Sequence, residues 1–205
     1  MNVQPAASTL HVLVALLISV LLSACGSGSD GGDPLSATGD VEILTERYRS
    51  VAPNDGLESD SVFFLIPEKK EYELTTPVSI DGRAADTLDE SETLIEDSLA
   101  AGTTVDSYLL HFDRVGSSSR DVQLRGELNL PGRLLGIITT GEHLDATDGE
   151  LGVRRIQYPE PGSYRPVEIG RTKDQVIIGP ERRTLELALR TNASADQMRI
   201  LIASE

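Results

Sequence analysis

Cysteine and aromatic residues are scarce in this chain. Its 205 residues include one cysteine, no tryptophan, five tyrosines and three phenylalanines. A single cysteine excludes an intramolecular disulfide and a zinc site built from cysteines, so the fold must be stabilised by a hydrophobic core. A chain of this length buries roughly 70% of its unfolded surface, which is sufficient for one such core. The low aromatic content leaves few ring faces of the kind that sugar-binding surfaces use.

Basic residues are also under-represented. The chain has 18 lysines and arginines against 33 aspartates and glutamates, which gives a formal net charge of −15. Residues 1–24 contain none of these side chains, so the excess of acid belongs to residues 25–205. An acidic surface repels nucleic-acid phosphates, and no basic stripe offsets the repulsion. The composition therefore predicts that the protein does not bind nucleic acid.

The apolar run near the start of the chain, Val12–Leu22, is short. A transmembrane helix needs about 20 apolar residues, whereas this run has the length of a signal-peptide hydrophobic region. The small residues Ser23 and Ala24 suit a cleavage site, and the sequence from Leu22 to Cys25 has the form of a bacterial lipobox. We therefore predict cleavage before Cys25 and acylation of its thiol. Because residues 1–24 lack lysine and arginine, ordinary secretion with a free Cys25 is the alternative.

These features predict a domain organisation and a location. Residues 1–24 are the expected signal peptide, residues 25–40 a flexible tether rich in glycine and serine, and residues 41–205 a single domain. The residue after Cys25 is Gly26, and it lacks the aspartate that would resemble an inner-membrane retention signal. We expect the protein in the cell envelope, held to a membrane by lipid on Cys25, and in the outer membrane if the cell has one.

The sequence from Val41 onward predicts an all-β fold. Short apolar runs alternate with polar residues and are separated by turn sequences such as Pro131-Gly132 and Asp148-Gly149. Strands with one wet face are typical of antiparallel sheets that pack face to face. We expect an antiparallel, jelly-roll-like β-sandwich of about ten strands. The expected strands are 41–48, 61–66, 72–74, 78–80, 104–112, 122–130, 134–139, 167–169, 175–178, 184–190 and 198–203.

Residues 84–101 depart from this pattern. Leu88, Leu94, Ile95 and Leu99 are spaced as in one short amphipathic helix, and acidic residues are crowded around them without a lysine or arginine. The segment is expected to be a short helix or an acidic loop. One interpretation is a loop that binds a cation or a partner, and the other, which we favour, is a solvated crossover between the sheets.

Five sequence blocks stand out in the predicted domain, namely GLESD at 56–60, VDSYLLHFD at 105–113, LGII at 135–138, LDATD at 144–148 and DQMRI at 196–200. Together they resemble the blocks of an uncharacterised family of exported bacterial β-rich domains. Members of that family often end in a PEP-CTERM-type sorting tail, a role that lipid on Cys25 would take here. Arg114 stands where the family often has proline. The resemblance implies export and a β-rich fold, and it assigns no catalytic residue.

Candidate catalytic residues are few. His111 lies in a predicted strand and is expected to be packed and hydrogen-bonded, whereas His143 lies in a predicted loop and is the better candidate for a base. No G-x-S-x-G turn or H-E-x-x-H helix accompanies either histidine. The many acidic residues leave room for a carboxylate pair of the glycosidase type. We predict that the protein is not an enzyme, and a glycan-acting hydrolase is the less favoured alternative.

Two groups of residues are candidates for binding. Tyr158 and Tyr164 flank a proline-rich loop and form either a contact surface for carbohydrate or a clamp that closes the loop. Glu142, Asp145 and Asp148 lie near a predicted turn and offer the oxygen ligands that calcium prefers, although their spacing is not that of an EF-hand. Asp148 has the alternative role of beginning the turn. We expect no cofactor other than a structural calcium ion.

The sequence thus predicts a non-catalytic, lipid-anchored envelope module with a structural or adhesion role. Its expected partners are the membrane and an envelope protein or polysaccharide. A calcium-stabilised carbohydrate-binding module is the alternative.

Overall fold

Within the residues that the structure describes, apolar runs and turn residues separate twelve strands and one helix. The computed structural model describes residues 34–45, 48–82, 87–88, 94–116, 121–191 and 195–204. The elements in chain order are β1 (Ser36–Gly39), β2 (Val41–Ile43), β3 (Phe63–Glu73), β4 (Val78–Ile80), β5 (Thr87–Leu88), β6 (Asp97–Leu99), β7 (Thr104–Phe112), β8 (Val122–Asn129), β9 (Leu134–Ile138), α1 (Gly141–Leu151), β10 (Gln175–Ile178), β11 (Thr184–Thr191) and β12 (Asp196–Ala203).

Ten of these strands form two five-stranded sheets. Sheet A has the order β1-β8-β11-β10-β5, and sheet B has the order β2-β3-β7-β12-β9. The strand pairs are antiparallel except β2 and β3, which are parallel. β4 and β6 form a separate antiparallel ribbon. The predicted all-β, sandwich-like fold is confirmed.

The two sheets pack through side chains that alternate along each strand. In β11, Leu185, Leu187 and Leu189 are buried, whereas Glu186 between them is exposed. Successive residues of a strand point to opposite faces, so the leucines face sheet B. The first core, between the sheets, includes Phe63, Leu65, Tyr108, Leu110, Phe112, Leu124, Leu128, Val176, Ile178, Leu185, Leu187, Leu189, Met198, Ile200 and Ile202.

Sheet B is also covered on the face that points away from sheet A. A second core joins residues of β3, β7, β9 and β12 to residues of β4, β6 and α1. α1 contributes Leu144 and Leu151, both fully buried. β12 is consequently buried on both faces, and only Ala203 at its end is partly exposed. This covered face of sheet B positions the candidate site.

The structure corrects the expectation of a loop at residues 142–150. These residues lie in α1, where Leu144, Thr147 and Leu151 are buried on one side. The Asp148-Gly149 pair does not interrupt the helix. Gly149 is exposed, and outside its own stretch of helix no atom lies within 4 Å of where a Cβ would be. A glycine in a helix costs about 1 kcal/mol relative to alanine, which does not end the helix here.

Three further expectations are changed. Residues 167–169 form no regular strand, and only isolated bridges involve Pro166 and Ile169 there. In 84–101 the described residues include the strands β5 and β6 rather than a helix, and the rest of the acidic segment lies largely outside the described residues. β1 lies inside the predicted tether and extends sheet A.

The predicted signal peptide and Cys25 lie outside the described residues. Among the residues that are described, no helix combines the length and the apolar character needed to cross a membrane.

Candidate functional site

Most of the predicted site residues meet where α1 and the segment after it cover sheet B. α1 carries Glu142, His143, Asp145 and Asp148, and Tyr158 and Tyr164 lie in the following segment. The structure adds buried or half-buried partners that the sequence analysis did not single out, namely Glu68, Asp81, Arg165, Gln197 and Arg199.

Arg199 is the centre of this site. Its guanidinium is fully buried and forms a bidentate ion pair with Glu68, with Nε 2.7 Å from Oε2 and Nη2 2.9 Å from Oε1. Nη2 also donates to Oδ1 of Asp148 at 2.9 Å, and Nη1 donates to the Thr147 hydroxyl. Burial lowers the pKa of Arg199, but Glu68 and Asp148 raise it by more, so it lies above its usual value. The arginine stays charged and ties α1 to sheet B.

Arg165 neutralises the two aspartates that the sequence analysis assigns to calcium. Its Nη2 donates to Oδ1 of Asp145 at 2.7 Å and to Oδ2 of Asp148 at 2.6 Å. Nη1 donates to Oε1 of Gln197 at 2.9 Å, and Nε is buried without a hydrogen-bond partner. Burial raises the pKa of Asp148, and the charges of Arg199 and Arg165 oppose this rise. The two arginines and two aspartates thus form a chain of ion pairs beneath the helix.

This arrangement does not favour calcium at Glu142, Asp145 and Asp148. Asp148 lies between two arginines, and Asp145 also accepts the Gly162 N–H at 2.7 Å. Glu142 is exposed on the first turn of α1. Across the described ranges, no three or more His, Cys, Asp or Glu side chains are grouped so as to hold a metal. Arginine occupies the place at which the sequence suggested a cation.

Tyr158 and Tyr164 do not form one surface. The half-buried Tyr158 donates its hydroxyl to Glu68 Oε1 at 2.7 Å and accepts the Val153 N–H at 2.9 Å. Its ring centroid lies 6.0 Å from the Arg199 Cζ, and burial together with Glu68 raises its pKa. Tyr158 therefore clamps its loop onto the ion-pair network.

Tyr164 is 56% exposed and its hydroxyl donates to Glu168. Partial burial and Glu168 raise the pKa of this hydroxyl to about 12. Its ring borders a groove of about 370 Å³ at the start of α1, which is also lined by Gly141, Glu142, Asp145, Gly162, Ser163 and Pro166.

His111 is packed and hydrogen-bonded, as the sequence predicts. It is completely buried, with Nε2 3.1 Å from the Leu57 carbonyl and Nδ1 2.9 Å from Nε2 of Gln197. Gln197 also donates to the Val51 carbonyl at 2.7 Å. Desolvation lowers the pKa of His111 to about 4. The neutral ring accepts from Gln197 and donates to Leu57, so it joins residues 48–58 to sheet B.

His143 is oriented by a buried carboxylate. Its Nδ1 lies 2.6 Å from Oδ1 of Asp81, which is 1% exposed. Oδ2 of Asp81 accepts the N–H groups of Thr139 and Thr140, at 2.6 and 2.8 Å. Asp81 therefore fixes the start of α1 and one ring nitrogen of His143. This is the arrangement in which a carboxylate orients an imidazole.

A second group of carboxylates lies at one end of the sandwich. Asp174 is fully buried and accepts the N–H groups of Glu168 and Arg190, at 2.6 and 2.7 Å. Asp196 is 3% exposed, and its Oδ2 has no hydrogen-bond partner. Desolvation and the charge of Asp174 raise the pKa of Asp196 to about 9, and desolvation raises that of Asp174 to about 6. Both carboxyl groups therefore hold a proton to higher pH than an exposed aspartate does.

One missed residue had a signal in the sequence. Arg199 interrupts the apolar run of Met198–Ala203, and a charge in a buried strand requires a partner. Glu68, Asp81 and Arg165 do not interrupt a long apolar run and give no comparable signal.

Comparison with protein-family models, with curated proteins and with solved structures found no match for this chain.

Proposed function

We propose that the chain is a lipid-anchored protein of the bacterial cell envelope, whose sandwich domain acts as a non-catalytic structural or adhesion module. The observation that carries this proposal is the lipobox Leu22-Ser23-Ala24-Cys25 directly after a short apolar run. The resemblance to exported β-rich domains agrees with it. Envelope proteins and polysaccharides are the partners that fit this location.

The hydrogen bonding of the covered face of sheet B supports a structural role. Both ring nitrogens of His111 are occupied by Leu57 and Gln197. Glu68 is held by Arg199 and Tyr158, so it is not available as a base. His143, oriented by Asp81, is the residue on which the alternative of a hydrolase would depend.

Metabolic labelling with a fatty-acid probe tests the anchor. Wild-type protein is expected to carry the label in the membrane fraction, and the Cys25→Ser variant is expected to lose the label. Retention of the label by the serine variant would show that Cys25 is not the acylated residue.

The exposed ring of Tyr164 favours a second candidate function, which is carbohydrate binding at the groove beside α1. A flat aromatic face and neighbouring polar groups can stack on and hydrogen-bond to a sugar ring. Tyr158 does not belong to this sugar site, because its hydroxyl is hydrogen-bonded to Glu68 and its ring lies against Arg199.

Affinity electrophoresis in gels that contain envelope polysaccharide tests this candidate. Tyr164→Ala is expected to abolish the retardation of the protein. Ile95→Ala removes another exposed apolar side chain, 67% exposed and far from α1 in sequence, and is expected to leave retardation unchanged. Equal mobility of wild type and Tyr164→Ala in all gels would exclude the groove as a sugar site.

A further inference from the structure

The face of sheet A that points away from sheet B carries a groove of about 310 Å³. Strands β1, β8, β10 and β11 line it, so the groove is built on regular sheet rather than on loops. The strand register arranges its side chains in two rows across the sheet. One row is Thr38, Glu127, Glu186 and Ile177, and the next is Arg125, Ala188 and Gln175.

Two carboxylates face each other in the first row. Glu127 of β8 lies directly opposite Glu186 of β11. The Cβ atoms of such antiparallel neighbours are about 4.5–5.5 Å apart, and like charges at this spacing destabilise the pair. Within the described residues, no ion pair or side-chain hydrogen bond neutralises either glutamate. One ammonium group between them is the complementary ligand.

An arginine lies in the second row. Arg125 precedes Glu127 by two residues on β8 and is opposite the small, buried Ala188. Its backbone N–H donates to Asp40 at 2.9 Å, but among the described residues its guanidinium contacts no acceptor. A guanidinium that is not paired within the protein can bind a carboxylate in bidentate fashion.

The spacing of Arg125 and Glu127 along β8 indicates the length of the ligand. Residues two apart on a strand are separated by about 7 Å. A free amino acid holds its ammonium and carboxylate on one carbon, which is a shorter separation than this spacing of strand positions. A chain of two residues spans up to about 7 Å. We infer that this groove binds a peptide of about dipeptide length by its two termini, with the ammonium between Glu127 and Glu186 and the carboxylate at Arg125.

Calorimetric titration of the purified full chain with alanyl-alanine tests this inference. The dipeptide is expected to bind, whereas free alanine, N-acetyl-alanyl-alanine and alanyl-alanine amide are expected to bind at least tenfold more weakly. The complex is also expected to weaken as salt is added, because it depends on exposed charges.

Substitutions assign the two ends. Glu127→Gln combined with Glu186→Gln is expected to reduce alanyl-alanine affinity to that of the acetylated peptide, and Arg125→Gln to that of the amide. Glu42→Gln, at an exposed position of β2 in sheet B, is the control and is expected to leave affinity unchanged. The double glutamine variant removes a repulsion, so it should melt no lower than wild type, and its loss of binding is then not unfolding.

Three outcomes of the dipeptide experiments would overturn the inference. These are an absence of saturable binding at millimolar dipeptide, equal affinity for the blocked and free peptides, and full affinity in the Arg125 or glutamate variants. Saturable binding of an acidic polysaccharide at Arg125 in place of the dipeptide would likewise overturn it. None of these results bears on acylation of Cys25, so the inference and the proposed function fail or stand separately.

Discussion

The two faces of sheet B are held by different forces. The face toward sheet A is packed with leucine, isoleucine, valine, phenylalanine and methionine side chains from ten strands in two sheets. The opposite face combines apolar residues with a buried network of Glu68, Arg199, Asp148 and Arg165. The burial of apolar side chains has no preferred direction, whereas each ion pair fixes the positions of two particular charged groups relative to each other. The first face therefore supplies stability, and the second specifies where α1 and its following loop lie.

The difference predicts unequal responses to mutation. A smaller apolar residue in the first core loses buried area and leaves a cavity. On the second face, removal of one charge leaves its partner buried and uncompensated, which costs more than the pair contributes. The two faces can therefore be compared by measuring the stability of two kinds of variant. One kind places a charge in the first core, and the other removes a charge from the second face.

The largest effect is expected from a charge in the apolar core. Leu187 is 3% exposed and faces sheet B, so Leu187→Asp buries an unpaired carboxylate at a cost of several kcal/mol. That cost is comparable with the whole stability of a typical domain, about 5–15 kcal/mol. Circular dichroism should show Leu187→Asp unfolded at 25 °C.

Its neighbour provides the control. Glu186 is exposed on the other face of β11, and Glu186→Lys should melt close to wild type. Equal melting temperatures for the two variants would show that β11 does not have one buried and one wet face.

Arg199→Met should have the next largest effect. It leaves Glu68 without a guanidinium in a buried site and leaves Asp148 with Arg165 alone, and breaking a buried pair costs about 3–5 kcal/mol. Urea unfolding should show this loss. Adding Glu68→Gln to Arg199→Met is expected to restore part of it, because the glutamine needs no counter-charge. If the two substitutions are simply additive, the pair is not coupled and the network does not hold the second face.

The residues of these first two predictions also show which features can be predicted from the sequence. Local strand patterns can be predicted, and long-range ion pairs cannot. The leucines of β11 and the bounds of β4, β7 and β10 follow from local alternation, and the structure reproduces them. Glu68 and Arg199 are 131 residues apart in the chain. Their pairing depends on the order of strands in sheet B, which no local pattern encodes. Of the whole network, only Arg199 is visible in the sequence as an anomaly.

The sequence does not predict α1, for a different reason. Its buried side is narrow, because Leu144, Thr147 and Leu151 are the buried residues of the helix, so the hydrophobic period is weak. The sequence predicts calcium at Asp145 and Asp148 because it does not show that their partner, Arg165, follows the helix and reaches back to it. A cluster of acids in the sequence indicates a need for positive charge, and it does not distinguish a metal ion from an arginine.

The pH dependence of the free energy of unfolding tests whether the first core tolerates a charged side chain. Asp196 shares its strand face with Met198 and Ile200, and its pKa is raised from 3.8 to about 9. The folded state then binds a proton that the unfolded state releases, so the stabilisation is complete below pH 4 and is lost as pH rises to 9. Between pH 7 and 9 wild type should lose up to about 1.4 kcal/mol per pH unit.

Asp196→Asn keeps the shape of the neutral acid and should remove this slope. The charged or polar groups that influence Asp196 are Asp174, Glu168, Asp113 and Thr191, and all of them remain in the variant. Urea unfolding at pH 7, 8 and 9 compares the two proteins. An unchanged slope in Asp196→Asn would assign the pH dependence to another group.

The smallest loss of stability is expected when one hydroxyl group is removed from the second face. This substitution tests whether hydrogen bonds to the ion-pair network hold that face. Tyr158→Phe removes the donor to Glu68 and the acceptor of the Val153 N–H, and an unsatisfied buried partner costs about 1–3 kcal/mol. Tyr164→Phe removes a hydroxyl that contacts the partly exposed Glu168, where water can replace it, so its change should stay within about 0.5 kcal/mol. Urea unfolding of both variants gives the comparison directly. A loss for Tyr158→Phe that is no larger than the loss for Tyr164→Phe would mean that the hydroxyl contacts of Tyr158 contribute nothing beyond the packing of its ring. In that case the second face would be held by apolar burial, like the first, and the ion pairs would only accompany it.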